Sequence, residues 1–137
     1  MGDTIMAYGT LLTDAVQSSI ANTPPQFNDG NGTQVGTLCR AWVNFNGVTT
    51  ATIRASFNVS SVTRNSTGDY TVNFTNAMPD ANYSASCLSG KNVTADSLSL
   101  NNPNTENFAT GSLRVVCKYQ PSGSSYDVPT VSVAIFR

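Results

Sequence analysis

Three stretches between residues 38 and 75 alternate apolar and polar residues with a period of two. Successive side chains of a β-strand point to opposite faces, so each stretch predicts a strand with one buried and one solvated face. The apolar positions are Ala41, Val43 and Phe45 in the first stretch, Ile53, Ala55, Phe57 and Val59 in the second, and Tyr70, Val72 and Phe74 in the third.

Turn-forming residues separate these stretches: Asn46-Gly47 follows the first, and Asn-Ser-Thr-Gly at 65–68 precedes the third. The pattern therefore predicts a three-stranded antiparallel meander over residues 38–75. With this register, Phe57→Ala is expected to cost roughly 3–5 kcal/mol. The predicted core consists of Val43, Phe45, Ile53, Phe57, Val59, Tyr70, Val72 and Phe74.

Short strands continue after the meander. Tyr83, Ala85 and Cys87 alternate on a fourth strand, and further strands are predicted over residues 93–100, 108–119 and 128–137. Many short strands separated by frequent turns favour an all-β fold, here an antiparallel β-sandwich over residues 37–137.

Residues 1–36 are predicted to form a separate N-terminal arm. Leu12, Val16 and Ile20 recur at helical spacing, which predicts a short amphipathic helix over residues 10–20. Prolines at 24 and 25 end it, and residues 22–36 read as a linker rich in Gly, Asn and Pro. A helix this short is marginal in water, so its apolar stripe is expected to pack on its own sheet or on neighbouring subunits.

The composition excludes several classes of function. Charged residues make up 11% of the chain, with seven basic against eight acidic side chains, so no strong field attracts nucleic acid. Neither a membrane-spanning apolar run nor a secretory signal is evident. Asn, Ser and Thr supply most of the polar character.

Catalysis has little support in this sequence. Histidine, the most common acid–base residue at neutral pH, is absent. A glycosidase needs two carboxylates across a cleft; Asp69 with Asp96 or Asp127 are the candidates, and each also fits a turn or a strand end. We therefore predict that the protein is not an enzyme and has no catalytic residues, metal site or cofactor.

The three cysteines, Cys39, Cys87 and Cys117, lack the spacing of a metal site. Each lies in or beside a predicted strand, where a reduced thiol behaves as a small apolar residue. The interpretation as buried reduced cysteines is favoured, and a Cys87–Cys117 disulfide is the alternative.

Four strings are distinctive: CRAWVNFNG, IRASFNVSSVT, TGDYTVNFTNAMPDANY and VPTVSVAIFR. Together they resemble a module at the C-terminal ends of bacteriophage and prophage tail-fibre proteins. The resemblance covers roughly residues 38–137 and is looser over 85–125. It implies a homotrimeric virion protein that is made in the host cytoplasm, contacts other virion proteins and is exposed on the released particle.

Two functions are compatible with that resemblance. The first is a host-attachment module that binds a surface polysaccharide or an outer-membrane protein. The second is a structural virion protein without a receptor, such as a capsid decoration protein or a tail adaptor, docked through its N-terminal segment.

Trp42 is the first candidate contact residue, since it lies on the polar side of its strand beside Arg40. It either lies under a second sheet or the N-terminal helix, or contributes to a subunit interface together with Leu12, Val16 and Ile20, or forms a sugar-stacking platform.

The longest polar loop, residues 101–107, is the predicted ligand-binding site. Asn side chains both donate and accept hydrogen bonds, as sugar hydroxyls do, although a solvated connection is the alternative. Arg114 and Lys118 share a strand face that is either solvated or meets an anionic sugar. The loop residues predicted to bind are Asn101, Asn102, Asn104, Thr105 and Asn107.

Overall fold

The computed structural model describes residues 15–20, 24–90, 98–101, 107–119 and 122–137. The chain divides into two compact units, residues 1–36 and 37–137. The described residues contain no α-helix, and no helix among them is long and apolar enough to cross a membrane. Their strands are β1 (Phe27–Asn28), β2 (Gln34–Gly36), β3 (Cys39–Asn46), β4 (Thr52–Phe57), β5 (Val59–Ser66), β6 (Asp69–Phe74), β7 (Ser84–Gly90), β8 (Leu98–Asn101), β9 (Phe108–Ala109), β10 (Ser112–Tyr119), β11 (Ser124–Ser125) and β12 (Thr130–Phe136).

In the N-terminal unit, the predicted linker contains a small antiparallel hairpin of β1 and β2. The Asp29 carboxylate closes its turn by accepting hydrogen bonds from the backbone N–H groups of Asn31 and Thr33, both at 2.9 Å. The helix predicted over residues 10–20 is wrong for residues 15–20, which are not helical; residues 10–14 lie outside the described residues. Val16 and Ile20 are exposed, so the single chain does not provide the burial that a short helix needs.

The second unit is an antiparallel β-sandwich, which confirms the predicted fold class. One sheet has the strand order β4-β3-β12-β7. In the other, β10 pairs with β6 and β11, β6 pairs with β5, and the short strands β8 and β9 also pair with β10.

The core lies between the two sheets. Phe45 from β3 and Tyr70 from β6 meet edge to face, with ring centroids 5.2 Å apart. Both side chains are fully buried, and such pairs add to the stabilisation that comes from area burial alone. The predicted inward residues that are buried are Val43, Phe45, Tyr70, Val72 and Phe74, while Ile53 and Val59 are partly buried against them.

The three-stranded meander predicted over residues 38–75 is wrong, because the second stretch is divided between the two sheets. Residues 52–57 pair with β3, and residues 59–66 pair with β6. Asn58 lies between them with a positive φ of 54°, a backbone conformation that Asn tolerates better than most residues. Its amide donates to the carbonyls of Arg40 and Asn76 at 3.0 Å each, which holds the corner in place.

A register shift explains why Phe57 is not in the core. Phe45 pairs with Ile53, but Asn44 pairs with Ala55, so Arg54 is an extra residue in β4. Since one extra residue reverses the side on which later side chains point, Phe57 shares the outer face with its partner Trp42 and is 55% exposed. The predicted burial of Phe57 and the cost assigned to Phe57→Ala are therefore wrong.

Two phenylalanines of this sheet should respond differently to truncation. Phe45→Ala opens a cavity between the sheets and is expected to lower the free energy of unfolding by about 3–5 kcal/mol. Phe57→Ala removes a half-exposed side chain and should cost less than about 1 kcal/mol. Urea unfolding of both variants checks this expectation, and equal losses would contradict the register described above.

Gly68 forms the turn between β5 and β6 with φ of +69°. A Cβ at this position would lie 2.6 Å from the carbonyl oxygen of Tyr126, so Gly68→Ala should destabilise the protein by about 1–3 kcal/mol. Gly111→Ala is the matched control, since a Cβ there meets no atom within 4 Å. Thermal unfolding should show a loss for the first variant and almost none for the second; a reversed order would be inconsistent with this turn.

Candidate functional site

Among the described residues of the sandwich, the most exposed aromatic and aliphatic side chains lie on the outer face of the four-stranded sheet. Trp42 on β3 is 40% exposed and pairs on one side with Phe57 of β4 and on the other with Ala134 of β12. Leu88 on β7 is 71% exposed and pairs with Ser132. Exposed apolar side chains that cluster in this way are typical of a surface that binds something.

Small residues on β12 form the floor of a groove on this face. Ser132 lies between Asn44 and Leu88, and Ala134 lies between Trp42 and Ser86. The groove is open to solvent and has a volume of about 390 Å³, within the range of about 300–1,000 Å³ for ligand pockets. Its lining residues are Trp42, Val43, Asn44, Ser86, Cys87, Leu88, Ser132, Val133 and Ala134.

The polar groups of the groove are held by hydrogen bonds. The Asn44 amide donates to the Ser132 hydroxyl at 2.8 Å, and Arg54 donates to the Asn44 side-chain carbonyl at 3.2 Å. Arg54 is fixed in turn by a 2.5 Å bond to the backbone carbonyl of Pro129. Because Ser132 accepts from Asn44, its own hydroxyl hydrogen stays available as a donor at the groove floor.

The outer face of the other sheet is different in character. Asn73 donates to the hydroxyls of Ser61 at 3.0 Å and Thr63 at 3.2 Å, and Asn65 donates to Thr71 at 2.9 Å. These side chains engage one another along β5 and β6, so much of the polarity of this face is satisfied internally. The groove, with its exposed indole, is therefore the stronger candidate site.

The candidate carboxylates Asp69 and Asp127 are each paired with an arginine. Asp69 accepts from Arg114 Nε at 2.9 Å and also pairs with Arg114 Nη2. Asp127 accepts from Arg64 Nη2 at 2.7 Å. Hydrogen bonds from these arginines lower the pKa of both carboxyls, whereas a general acid at neutral pH needs a raised pKa. Asp96 lies outside the described residues.

The other predicted site residues are not assembled into a site by the described structure. The backbone of Asn101 lies in β8 opposite Val116, and Asn107 is buried. Asn102, Asn104 and Thr105, like Leu12 of the predicted interface, lie outside the described residues. Arg114 is paired with Asp69, so its charge is largely compensated on that face.

All three cysteines are free thiols in the structure, as the favoured interpretation predicts, but only Cys117 is buried, while Cys39 and Cys87 are partly exposed. Burial raises the pKa of Cys87 to about 11 and that of Cys117 to about 12, so both are protonated and weakly nucleophilic at neutral pH. Within the described ranges, no group of three or more Cys, Asp or Glu residues is placed to hold a metal ion.

Sequence reasoning found Trp42 but missed the rest of the groove. The sequence already indicates the side on which Leu88 lies, because the alternation of Ala85 and Cys87 places residue 88 on the opposite face of the strand. Ser132 and Ala134 are small residues on the strand between β3 and β7, and that strand order is a property of the tertiary structure.

The chain matches no protein-family model, no curated protein and no solved structure in the comparisons with known proteins. The resemblance to tail-fibre modules thus stays a prediction from the four strings named above.

The Asp127–Arg64 pair predicts acid sensitivity. A carboxyl whose pKa is lowered in the folded state contributes stability above its ordinary pKa of about 4, and this contribution is lost as the pH falls through the folded value. The free energy of unfolding should therefore decrease between pH 7 and pH 3. Arg64→Gln removes the main cause of the shift and should reduce that decrease; Lys118→Gln, with the same loss of charge, should not. Urea unfolding at both pH values measures this.

Proposed function

We propose that this protein is a virion protein of the tail-fibre type whose β-sandwich attaches the particle to the host cell surface. The observation that carries the proposal is the groove beside Trp42, an exposed aromatic site on a sheet whose opposite face packs into the core. A rigid scaffold that presents an aromatic side chain in a pre-formed groove suits recognition of a surface glycan or protein.

The tail-fibre resemblance of the four strings supports the same proposal independently. The strings that carry it include β3 with Trp42 and β12 with Ser132 and Ala134, which together form much of the groove. Host attachment by a homotrimer is part of the proposal, because modules of that type are usually trimeric.

A second candidate is a structural virion protein, such as a capsid decoration protein or a tail adaptor. The N-terminal unit favours it, since Val16, Ile20, Phe27 and Val35 are all exposed there. Exposed apolar residues of this kind suit docking into a larger assembly. Location of the chain in a virion map separates the two candidates.

The attachment proposal predicts that filling the groove abolishes binding to cells. Ala134→Tyr places a large side chain over the groove floor, between Trp42 and Ser86. We expect the labelled wild-type protein to bind saturably to a subset of bacterial strains in flow cytometry, and the variant to lose most of that binding.

Ser61→Tyr is the matched control, because it adds the same bulk to an exposed position on the other sheet. It should bind cells as the wild type does. If the wild-type protein binds no bacterial strain, including the strain on which the virion is grown, the attachment proposal is rejected and the structural candidate is favoured.

A further inference from the structure

We propose that the groove beside Trp42 binds an acidic glycan, with a sugar ring stacked on the indole and its carboxylate held by Arg54. This inference rests on the proposed attachment function and adds the chemical class of the receptor. It is supported by the distribution of charge over the sandwich, by the aromatic surface and by the polar border of the groove.

The distribution of arginines is the first argument. All five arginines of the chain lie among the described residues, and three of them, Arg64, Arg114 and Arg137, form ion pairs. Arg40 and Arg54 form no ion pair with any residue that the structure describes. Both belong to the sheet that carries the groove.

The same sheet lacks negative charge. Its four strands, β3, β4, β7 and β12, contain no Asp or Glu, although acidic residues outnumber basic ones in the chain as a whole. A surface with two uncompensated cations and no carboxylate favours an anionic partner.

Arg54 is the cation beside the groove. Asn44 is two residues from Trp42 on β3, so it shares the outward face of Trp42 at a spacing of about 7 Å. Arg54 reaches that face through its hydrogen bond to the Asn44 side chain. A ring stacked on Trp42 therefore lies within reach of the Arg54 guanidinium, and guanidinium groups bind carboxylates in a bidentate manner.

The aromatic surface fits a sugar better than it fits an inorganic anion. One face of a pyranose ring consists of C–H groups, which pack against the electron-rich face of an aromatic ring. Asn44, Ser86 and Ser132 border the groove, and their amide and hydroxyl groups both donate and accept, as sugar hydroxyls do. The bonds among Asn44, Ser132 and Arg54 hold two of these groups in place before a ligand arrives.

Trp42 is the only tryptophan of the chain, so intrinsic fluorescence reports on the groove directly. We would titrate the full chain with oligosaccharides of galacturonic acid and with matched oligosaccharides of galactose, which lack the carboxylate. The acidic series should produce a saturable change in emission at lower concentration than the neutral series, and the difference should diminish at high salt.

Calorimetric titration of variants assigns the roles. Trp42→Ala should weaken binding of the acidic oligosaccharide by about tenfold. Arg54→Gln should weaken it by about two- to fivefold and should weaken binding of the neutral one less, since only the acidic oligosaccharide loses an ion pair. Lys118→Gln is the matched control, since it removes a cation on the other sheet; it should not change the affinity.

Several outcomes would overturn the inference while leaving the attachment proposal intact. One is equal affinity for acidic and neutral oligosaccharides, and another is cell binding that is abolished by protease treatment of the cells, which identifies a protein receptor. A third is a decrease in oligomer mass in both Trp42→Ala and Phe57→Ala, which identifies the face as an interface with a second copy. Failure of the wild type to bind any cell rejects the attachment proposal itself.

Discussion

The packing of Tyr70 against Phe45 between the two sheets is the contact on which much of the structure depends. Tyr70 is completely buried, and its hydroxyl lies 3.0 Å from both the Gly47 carbonyl and Asp127 Oδ1. Asp127 also accepts from the backbone N–H of Gly68 at 2.8 Å and from Arg64. One buried phenol thereby connects the β3–β4 loop, the β5–β6 turn and the approach to β12, and its polar group is satisfied in the interior.

The inner faces of both sheets form the core. The outer faces of the two sheets differ in the side chains that they present. Polar side chains on β5 and β6 bond to one another, whereas the opposite sheet presents Trp42, Phe57 and Leu88. Ion pairs compensate three of the arginines elsewhere in the sandwich, and Arg40 and Arg54 belong to the sheet with the exposed indole. This asymmetry is the physical basis for our proposals about attachment and about an acidic glycan.

Two local irregularities, the corner at Asn58 and the extra residue Arg54, produce that asymmetry. The corner passes the chain from one sheet to the other, and the extra residue turns Phe57 outward beside Trp42. Arg54 has a second role, since its guanidinium fixes Asn44 at the groove. Irregular positions in strands often direct side chains toward functional surfaces in this way.

The sequence by itself determined the strand content, the inward positions of β3 and β6, and the polar side of β3 on which Trp42 lies, because alternation along one strand is a local property. Tertiary structure alone decided which strands are neighbours, and so which outward residues share the groove. Alternation does not reveal a residue inserted into the ladder, as at Arg54, since each side of the insertion still alternates. Nor does alternation distinguish one long strand from two strands in different sheets. At Asn58 the backbone changes direction, but the alternation of apolar and polar residues continues across it. The pairing of β3 with β12 joins residues about 90 positions apart, and the packing of the whole core settles it.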